Sequence, residues 1–529
     1  MSVETIVGQG AGAGEAKRQG LLPALGLQAG VTLALIACLM LFYTTVYSVH
    51  TDLAGILLSG RLAETLGGDF EKYSLYFPPA ERIWFSCAVW LSDLTGLRLD
   101  LSSILLTSLA VSFSAGLAYH IRRTTVGASP WFLIVSMAVL VIVPILYKNL
   151  YGLREHMVVL GLWPYLVLRL SDPGSKIIGM KTRVIVGLWM GATLTLKYLY
   201  ALVVLLLELG DAAIRKRPLL VFRIENLLAG GIVAAYLFFW LVIDPAQREA
   251  IAVIVSAIDA NLASTQANLE QSAIHFSLAI FFLLLAWIYK IPARVSVIGI
   301  AMVIAAIIAS WIQSRWYSHH LFPITMAYIA WVWMIHREVR LLWIVAICVL
   351  FVRPLVGEFV ATGPYQRSVT ELEGAMAESG ISVAGKRVGL LNMHPSPFNQ
   401  YLAMHGGVRW ISSMNNSYVA SELKPLDRPE NEGMIAPAVS FDDPGVAMLH
   451  TEMLRLWEEK PPELLILDES TSWPLQFVNV EWKQAFAEDA RFQAILEQYQ
   501  PVYTHKGDML SFTIYERSDQ ASAEQESAD

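Results

Sequence analysis

Asp52 ends an apolar run in FYTTVYSVHTDLAG, two positions after His50. A carboxylate there can accept a proton from a hydroxyl, or it can simply cap a helix that starts at Leu53. Glu155 and His156, in LREHMVVLGL, stand at the mouth of another apolar run. A carboxylate and an imidazole are costly there unless they are used. Lys197 interrupts TLTLKYLYAL as a lone cation, suited either to snorkelling or to gripping an anionic head group. The break QSRWYSHHLFP brings Arg315, Tyr317, His319 and His320 together. Arginine offers a planar fork for phosphate oxygens, and histidine exchanges protons near neutral pH. The plainer reading of that segment is an aromatic belt with a snorkelling arginine. Asp69, Glu71 and Tyr76 lie in GGDFEKYSLYFPPAER, either as interfacial anchors or as site residues. Cations, carboxylates and histidines gathered at one membrane surface suit group transfer from a lipid phosphate to an acceptor hydroxyl.

These residues need a scaffold, and the composition says which kind. The chain has 529 residues, 55% hydrophobic and 16% charged, with mean hydropathy +0.50. Repeated apolar runs of about 17 to 25 residues call for a polytopic α-helical membrane protein. Eleven spans are expected, near 24–48, 101–121, 130–148, 156–170, 183–196, 198–212, 225–243, 274–290, 294–312, 320–336 and 340–356. The fifth and sixth could be one helix, which would set Arg183 and the group at 215–217 on opposite sides; as two short spans they meet at Lys197. That arrangement puts Arg183 and the group Arg215, Lys216, Arg217 on one side. Lys17/Arg18, Arg122/Arg123, Lys290/Arg294 and Arg337/Arg340 fall on the same side, which the positive-inside rule makes cytoplasmic. The segment 1–20 is then a cytoplasmic lead, and 21–356 is the membrane domain. The host membrane expected is a bacterial inner membrane.

The outer segments are unequal. The first, 49–100, contains ILLSGRLAETL and ERIWFSCAVWLSDL, both expected as interfacial helices. From 357 the character changes. SVTELEGAMAES reads as a helix, KRVGLLNM and PPELLILDES as buried strands, WKQAFAEDARFQAILEQY as an amphipathic helix, and PVYTHKG with MLSFTIYER as a terminal hairpin. The expectation is a periplasmic α/β domain over 357–516, followed by a disordered acidic tail, 517–529.

Several classes are excluded or disfavoured. There is no GxxxxGK[ST], GxGxxG or GxSxG, and no basic face for nucleic acid. The cysteines Cys38, Cys87 and Cys348 form no CxxC pair. His50, His156, His319 and His320 could ligate a metal, but no HExxH or similarly tight spacing supports this. No cofactor is required by the chemistry, because the leaving group is already a phosphate. A lipid-linked sugar translocator and a non-catalytic polysaccharide assembly protein are the rival readings; the size of the outer part and the lack of internal repeats speak against a translocator.

With HTD closing the first span, YSLYFPP in the first outer loop, REH in the second, LTLKY between short spans and the late RWYSHHLFP, the chain resembles the GT-C fold glycosyltransferases. These are polytopic enzymes that use polyprenyl-phosphate sugars, laid out like protein mannosyltransferases and aminoarabinose transferases. The resemblance implies Asp52 as the base, and Arg315, Tyr317 and His319 as lining for the lipid phosphate. It departs from the family in one respect: many members carry an adjacent acidic pair in the first loop, whereas Leu53 follows Asp52. Lys197 is then expected on the donor phosphate. Glu155, His156, His50, Asp69, Glu71, Tyr76 and His320 are expected to position substrate. The partners implied are a polyprenyl-phosphate sugar donor, membrane lipids and a glycan, lipid or protein acceptor.

Overall fold

The structure is a computed structural model. It describes residues 26–45, 47–67, 79–146, 149–171, 177–243, 293–313, 366–392, 395–410, 434–435, 444–470, 478–479 and 482–518, with scattered positions over 269–290 and 322–326. The expected lead 1–20, the span 340–356, most of 320–336 and the tail beyond 518 lie outside the described residues.

The helical part runs through α1 (Gly26–Thr45), α2 (Thr51–Leu66), α3 (Pro79–Thr95), α4 (Leu99–Val126), α5 (Pro130–Leu146), α6 (Arg154–Ser171), α7 (Met180–Leu194), α8 (Ala201–Arg215), α9 (Ile224–Phe238) and α10 (Ala293–Gln313). α1, α4 and the stretch Met180–Arg215 are each long and apolar enough to cross a membrane; α5 and α9 are shorter apolar helices. An α-helix satisfies its own backbone, so it is the form such segments must take in lipid. α4 packs along α6. It buries a row of small residues, among them Ser103, Thr107, Ser108, Ala110, Ser114 and Ala118, which lets helix backbones approach closely. Leu33 and Leu41 of α1 are exposed, as suits a lipid-facing surface.

Met180–Arg215 is apolar throughout but not straight. A 3₁₀ turn, Thr195–Tyr200, separates α7 from α8, and Lys197 within it has φ −148° and ψ 76°, far from helical. The charges at the far ends settle the path. Arg183 near the start of α7 pairs with Glu225 of α9, and Glu225 also pairs with Arg169 of α6. Arg169 pairs with Glu208 of α8, and Arg223 bridges Glu208 and Asp211. A straight helix would hold positions 183 and 211 about 42 Å apart. The network, which runs through α6 and α9, therefore requires α8 to turn back from the line of α7. The break expected at Lys197 is present in the chain.

α2 and α3 occupy the segment 49–100. On α3, Ile83, Cys87, Trp90 and Leu94 lie exposed along one face, while Phe85, Ala88 and Val89 are buried and the helix packs against α2. An apolar stripe at i, i+4, i+7 and i+11 is the form of a helix lying in a membrane interface.

The remaining elements build a small α/β unit: α11 (366–379), β1 (Arg387–Leu391), α12 (Pro395–His405), β2 (Val408–Arg409), β3 (Met434–Ile435), α13 (Pro444–Glu459), β4 (Leu464–Asp468), β5 (Val478–Asn479), α14 (Trp482–Ala485), α15 (Ala490–Leu496), β6 (Tyr499–Lys506) and β7 (Ser511–Arg517). Five strands form one sheet in the order β2-β1-β4-β7-β6, and β3 pairs with β5 separately. β1 runs parallel to β2 and β4, with Leu391 beside Leu467. β7 is antiparallel to β4 and to β6. The long amphipathic helix expected over 482–499 is instead α14 and α15. Asp489 interrupts it, accepting from the N–H groups of Arg491 and Phe492 and so starting a new helix.

The two faces of this sheet have different neighbours. Val388, Leu390, Leu464 and Ile466 belong to a core continuous with the membrane helices. Leu391, Leu465 and Leu467 belong to a second core with Trp457, Trp482 and, from α2, Leu62 and Leu66. The earlier residues of α2, Leu53 to Leu58, lie in the first core. α2 therefore has one half in each.

Candidate functional site

Asp52 sits in the first turn of α2. The helix begins at Thr51, and its cap is His50, whose Nδ1 accepts from the Asp52 N–H at 3.1 Å. The reading of Asp52 as the cap of a helix starting at Leu53 is thereby replaced. Its carboxylate is left for other use: it lies 3.9 Å from His50 Nδ1, and its side chain is 35% exposed. Two sides fix this position. Asn149 donates to the Ser48 carbonyl at 2.6 Å, tying the segment to the turn before α6. From the α/β unit, Gln366 Oε1 accepts from Ser48 N–H at 3.2 Å and Gln400 donates to the Val49 carbonyl.

Four further charges meet nearby. Arg154 Nη1 is 2.8 Å from Glu81 Oε1, and Lys197 Nζ is 2.8 Å from Glu155 Oε1. Arg154 also feels the charges of Glu155 and Asp52, and Lys197 those of Arg154 and Glu81. Three helices and one hairpin tip deliver them: Asp52 from α2, Glu81 from α3, Arg154 and Glu155 from α6, and Lys197 from the bend between α7 and α8. At that bend the backbone of Lys197 leaves helical geometry, and its side chain reaches Glu155 of α6. Aromatic pairs stand around the tip, Tyr198 with Trp240 at 6.1 Å between centroids and Trp84 with Trp189 at the same spacing.

Glu81 is the residue that the sequence did not single out. It is buried, and its second oxygen, Oε2, makes no hydrogen bond. Burial raises its carboxyl above the usual range; Arg154 and Lys197 pull it back, and Glu155 adds to the rise. Glu81 comes from α3, at the far end of the segment 49–100 from Asp52.

The turn before α6 sets the register of Arg154 and Glu155. Gly152 has φ 86°, and a Cβ there would meet Thr107 Oγ1 at 3.0 Å and Leu53 Cδ2 at 3.1 Å. His156 serves that turn. Its Nδ1 accepts from the Gly152 N–H at 3.0 Å, and its Nε2 lies 2.8 Å from the Leu140 carbonyl. Both ring nitrogens are thus engaged with backbone, and the side chain is fully buried. His156 holds the loop, while Glu155 beside it faces Lys197.

Of the expected site residues, the fold brings together His50, Asp52, Glu155 and Lys197. Asp69, Glu71, Tyr76, Arg315, Tyr317, His319 and His320 lie outside the described residues. Among the described residues no group of three or more His, Cys, Asp or Glu is arranged to hold a metal ion. The sequence matches no known protein-family model and no curated protein.

Proposed function

We propose that the protein is a membrane glycosyltransferase of GT-C type, with eleven spans and its α/β unit on the extracytoplasmic side of a bacterial inner membrane. It moves a sugar from a polyprenyl-phosphate donor to an acceptor hydroxyl in cell-envelope glycan assembly. The observation that carries this reading is the unequal pairing around Asp52. Glu81 is matched by Arg154 and Glu155 by Lys197. Asp52 has only His50 within ion-pair distance among the described residues, and it is the partly exposed member of the three. A carboxylate without a committed cation, at the end of a span, suits a general base.

In the step proposed, the acceptor oxygen attacks C1 of the donor sugar and Asp52 takes its proton. The bond from C1 to the phosphate oxygen breaks, and the electron pair leaves on the polyprenyl phosphate. Lys197, with Arg315, meets the charge that grows on that phosphate. Glu81 and Glu155 hold the two cations Arg154 and Lys197 in place. His50 fixes the first turn of α2 and thus the direction of the Asp52 carboxylate.

The test uses the purified full chain in lipid nanodiscs with a panel of polyprenyl-phosphate sugars. The wild type is expected to release polyprenyl phosphate and transfer sugar. Asp52→Asn is expected to lower turnover by about 10²- to 10⁴-fold with donor binding unchanged. Unchanged turnover removes Asp52 as the base. A wild type that binds donors but turns over none of them points to a translocator.

A further inference from the structure

α2 and α3 flank a groove that the charges around Asp52 do not use. Its volume is about 830 Å³, within the range of pockets that hold small molecules. From the α2 side come Gly60, Ala63 and Glu64, with the capping Gly67. These are positions i, i+3, i+4 and i+7, so they share one face of the helix, and three of the four have little or no side chain. From α3 come Ile83, Cys87 and Trp90, one side chain per turn. The two helices touch at Gly60, where a Cβ would lie 3.2 Å from Val89 Cγ2; at Gly67 a Cβ would meet nothing within 4 Å. The hollow exists because the α2 wall is almost bare.

The groove opens on the apolar side of α3. Ile83, Cys87 and Trp90 belong to the exposed stripe of that helix, and Ile83 and Trp90 are 68% and 64% exposed. The other side of α2 is already committed, since Leu62 and Leu66 lie in the second core. The groove is thus a recess in the surface that meets the membrane interface, and an acyl chain laid in it buries apolar area on both sides. Its rim is charged. Glu64 lines it, and Arg61 lies between Glu64, at 3.4 Å, and Asp93. Partial burial raises the Glu64 carboxyl, Asp93 adds to the rise, and Arg61 opposes it. Arg82 lines the groove as well. Both signs of charge stand at the rim, with two carboxylates side by side.

We propose that this groove binds one phospholipid with a zwitterionic head group, its acyl chain along Ile83, Cys87 and Trp90 and its ammonium against Glu64 and Asp93. An ammonium donates to paired carboxylates, whereas a head group that is only anionic meets like charge there. The proposal goes beyond the transferase reading and does not depend on it.

Native mass spectrometry on the full chain, delipidated in detergent, tests it. The probes are phosphatidylethanolamine and phosphatidylglycerol with identical acyl chains. The wild type is expected to retain one phosphatidylethanolamine and to bind it about tenfold more tightly than phosphatidylglycerol. Cys87→Trp fills the groove from the exposed α3 side and is expected to lose this tight site. Glu64→Gln combined with Asp93→Asn leaves the hollow intact and is expected to bind the two lipids alike. A wild type that retains no phospholipid, or that does not prefer phosphatidylethanolamine, overturns the proposal. A preference that survives either Cys87→Trp or the double substitution overturns it too.

Discussion

At one end of α6, Arg154 and Glu155 join Asp52, Glu81 and Lys197; at the other, about 22 Å away along the helix, Arg169 joins Arg183, Arg215, Arg223, Glu208, Asp211 and Glu225. The Arg169 end is closed. Each of its carboxylates meets an arginine within 3.1 Å, Glu208 also accepts from the Tyr165 hydroxyl, and apart from Arg215 the side chains are at most 6% exposed. Among the described residues, the Lys197 end has three carboxylates for two cations, and one carboxylate is partly open. Charges placed in a low-dielectric bundle must be paired. Where every charge is paired, the set ties α6, α7, α8 and α9 together. Where the pairing stops short, room is left for a ligand to complete it. The two ends thus teach how to separate a structural network from a site when both are made of the same residue types.

Arg169→Met is expected to make the largest difference between the two ends. It takes from Glu208 and Glu225 the arginine they share and leaves them Arg223 and Arg183, at a cost of up to about 3–5 kcal/mol, much of the stability of a typical domain. The denaturation midpoint in detergent should fall steeply, while turnover per folded molecule stays near wild type. If the midpoint does not move, the Arg169 end is not the structural one.

A smaller effect is expected from Glu81→Gln. Its carboxyl is raised in the folded state, so the folded chain binds that proton more tightly than the unfolded chain does. The stabilisation this gives is fully present below the unfolded value and is lost as pH rises through the folded one. Wild-type stability should therefore slope downward across that window, and the slope should flatten in Glu81→Gln. Unfolding midpoints measured from pH 4 to 8 give the answer; equal slopes in both proteins would mean that another group titrates.

Arg491→Ala should do least. Arg491 pairs with Glu458 at 2.7 Å, but both side chains are exposed, at 44% and 40%. Such pairs contribute at most about 1 kcal/mol, so the midpoint should barely change. A loss comparable to that of Arg169→Met would show that geometry, not burial, sets the worth of a pair in this protein.

What could be read in the sequence was whatever local pattern determines. Lys197 stood out as a cation inside an apolar run, and the charges at both ends of that run required a hairpin. Asp52 and Glu155 stood out as carboxylates where spans end. β1, β4 and the β6–β7 hairpin followed from apolar runs and turn residues. Glu81 did not stand out, because ERIWF reads as an ordinary helix start, and its partner Arg154 lies 73 positions away. Arg154 has a nearer carboxylate in its neighbour Glu155, and only the fold decides between them. The Arg169 network was legible in principle: Arg169 in LVLRLS and Glu208 with Asp211 in LLLELGDAA are charges inside apolar runs, and such residues mark either partners or function.

The divided packing of α2 has a consequence for how the protein is made. Leu62 and Leu66 are finished early, yet the core that buries them includes Leu391 and Leu467, synthesised more than about 320 residues later. At about 5–20 residues per second, the C-terminal half of α2 waits on the order of 15 to 60 s for its cover. The helix that carries Asp52 is thus completed only when a segment made long after it supplies the cover for its second half.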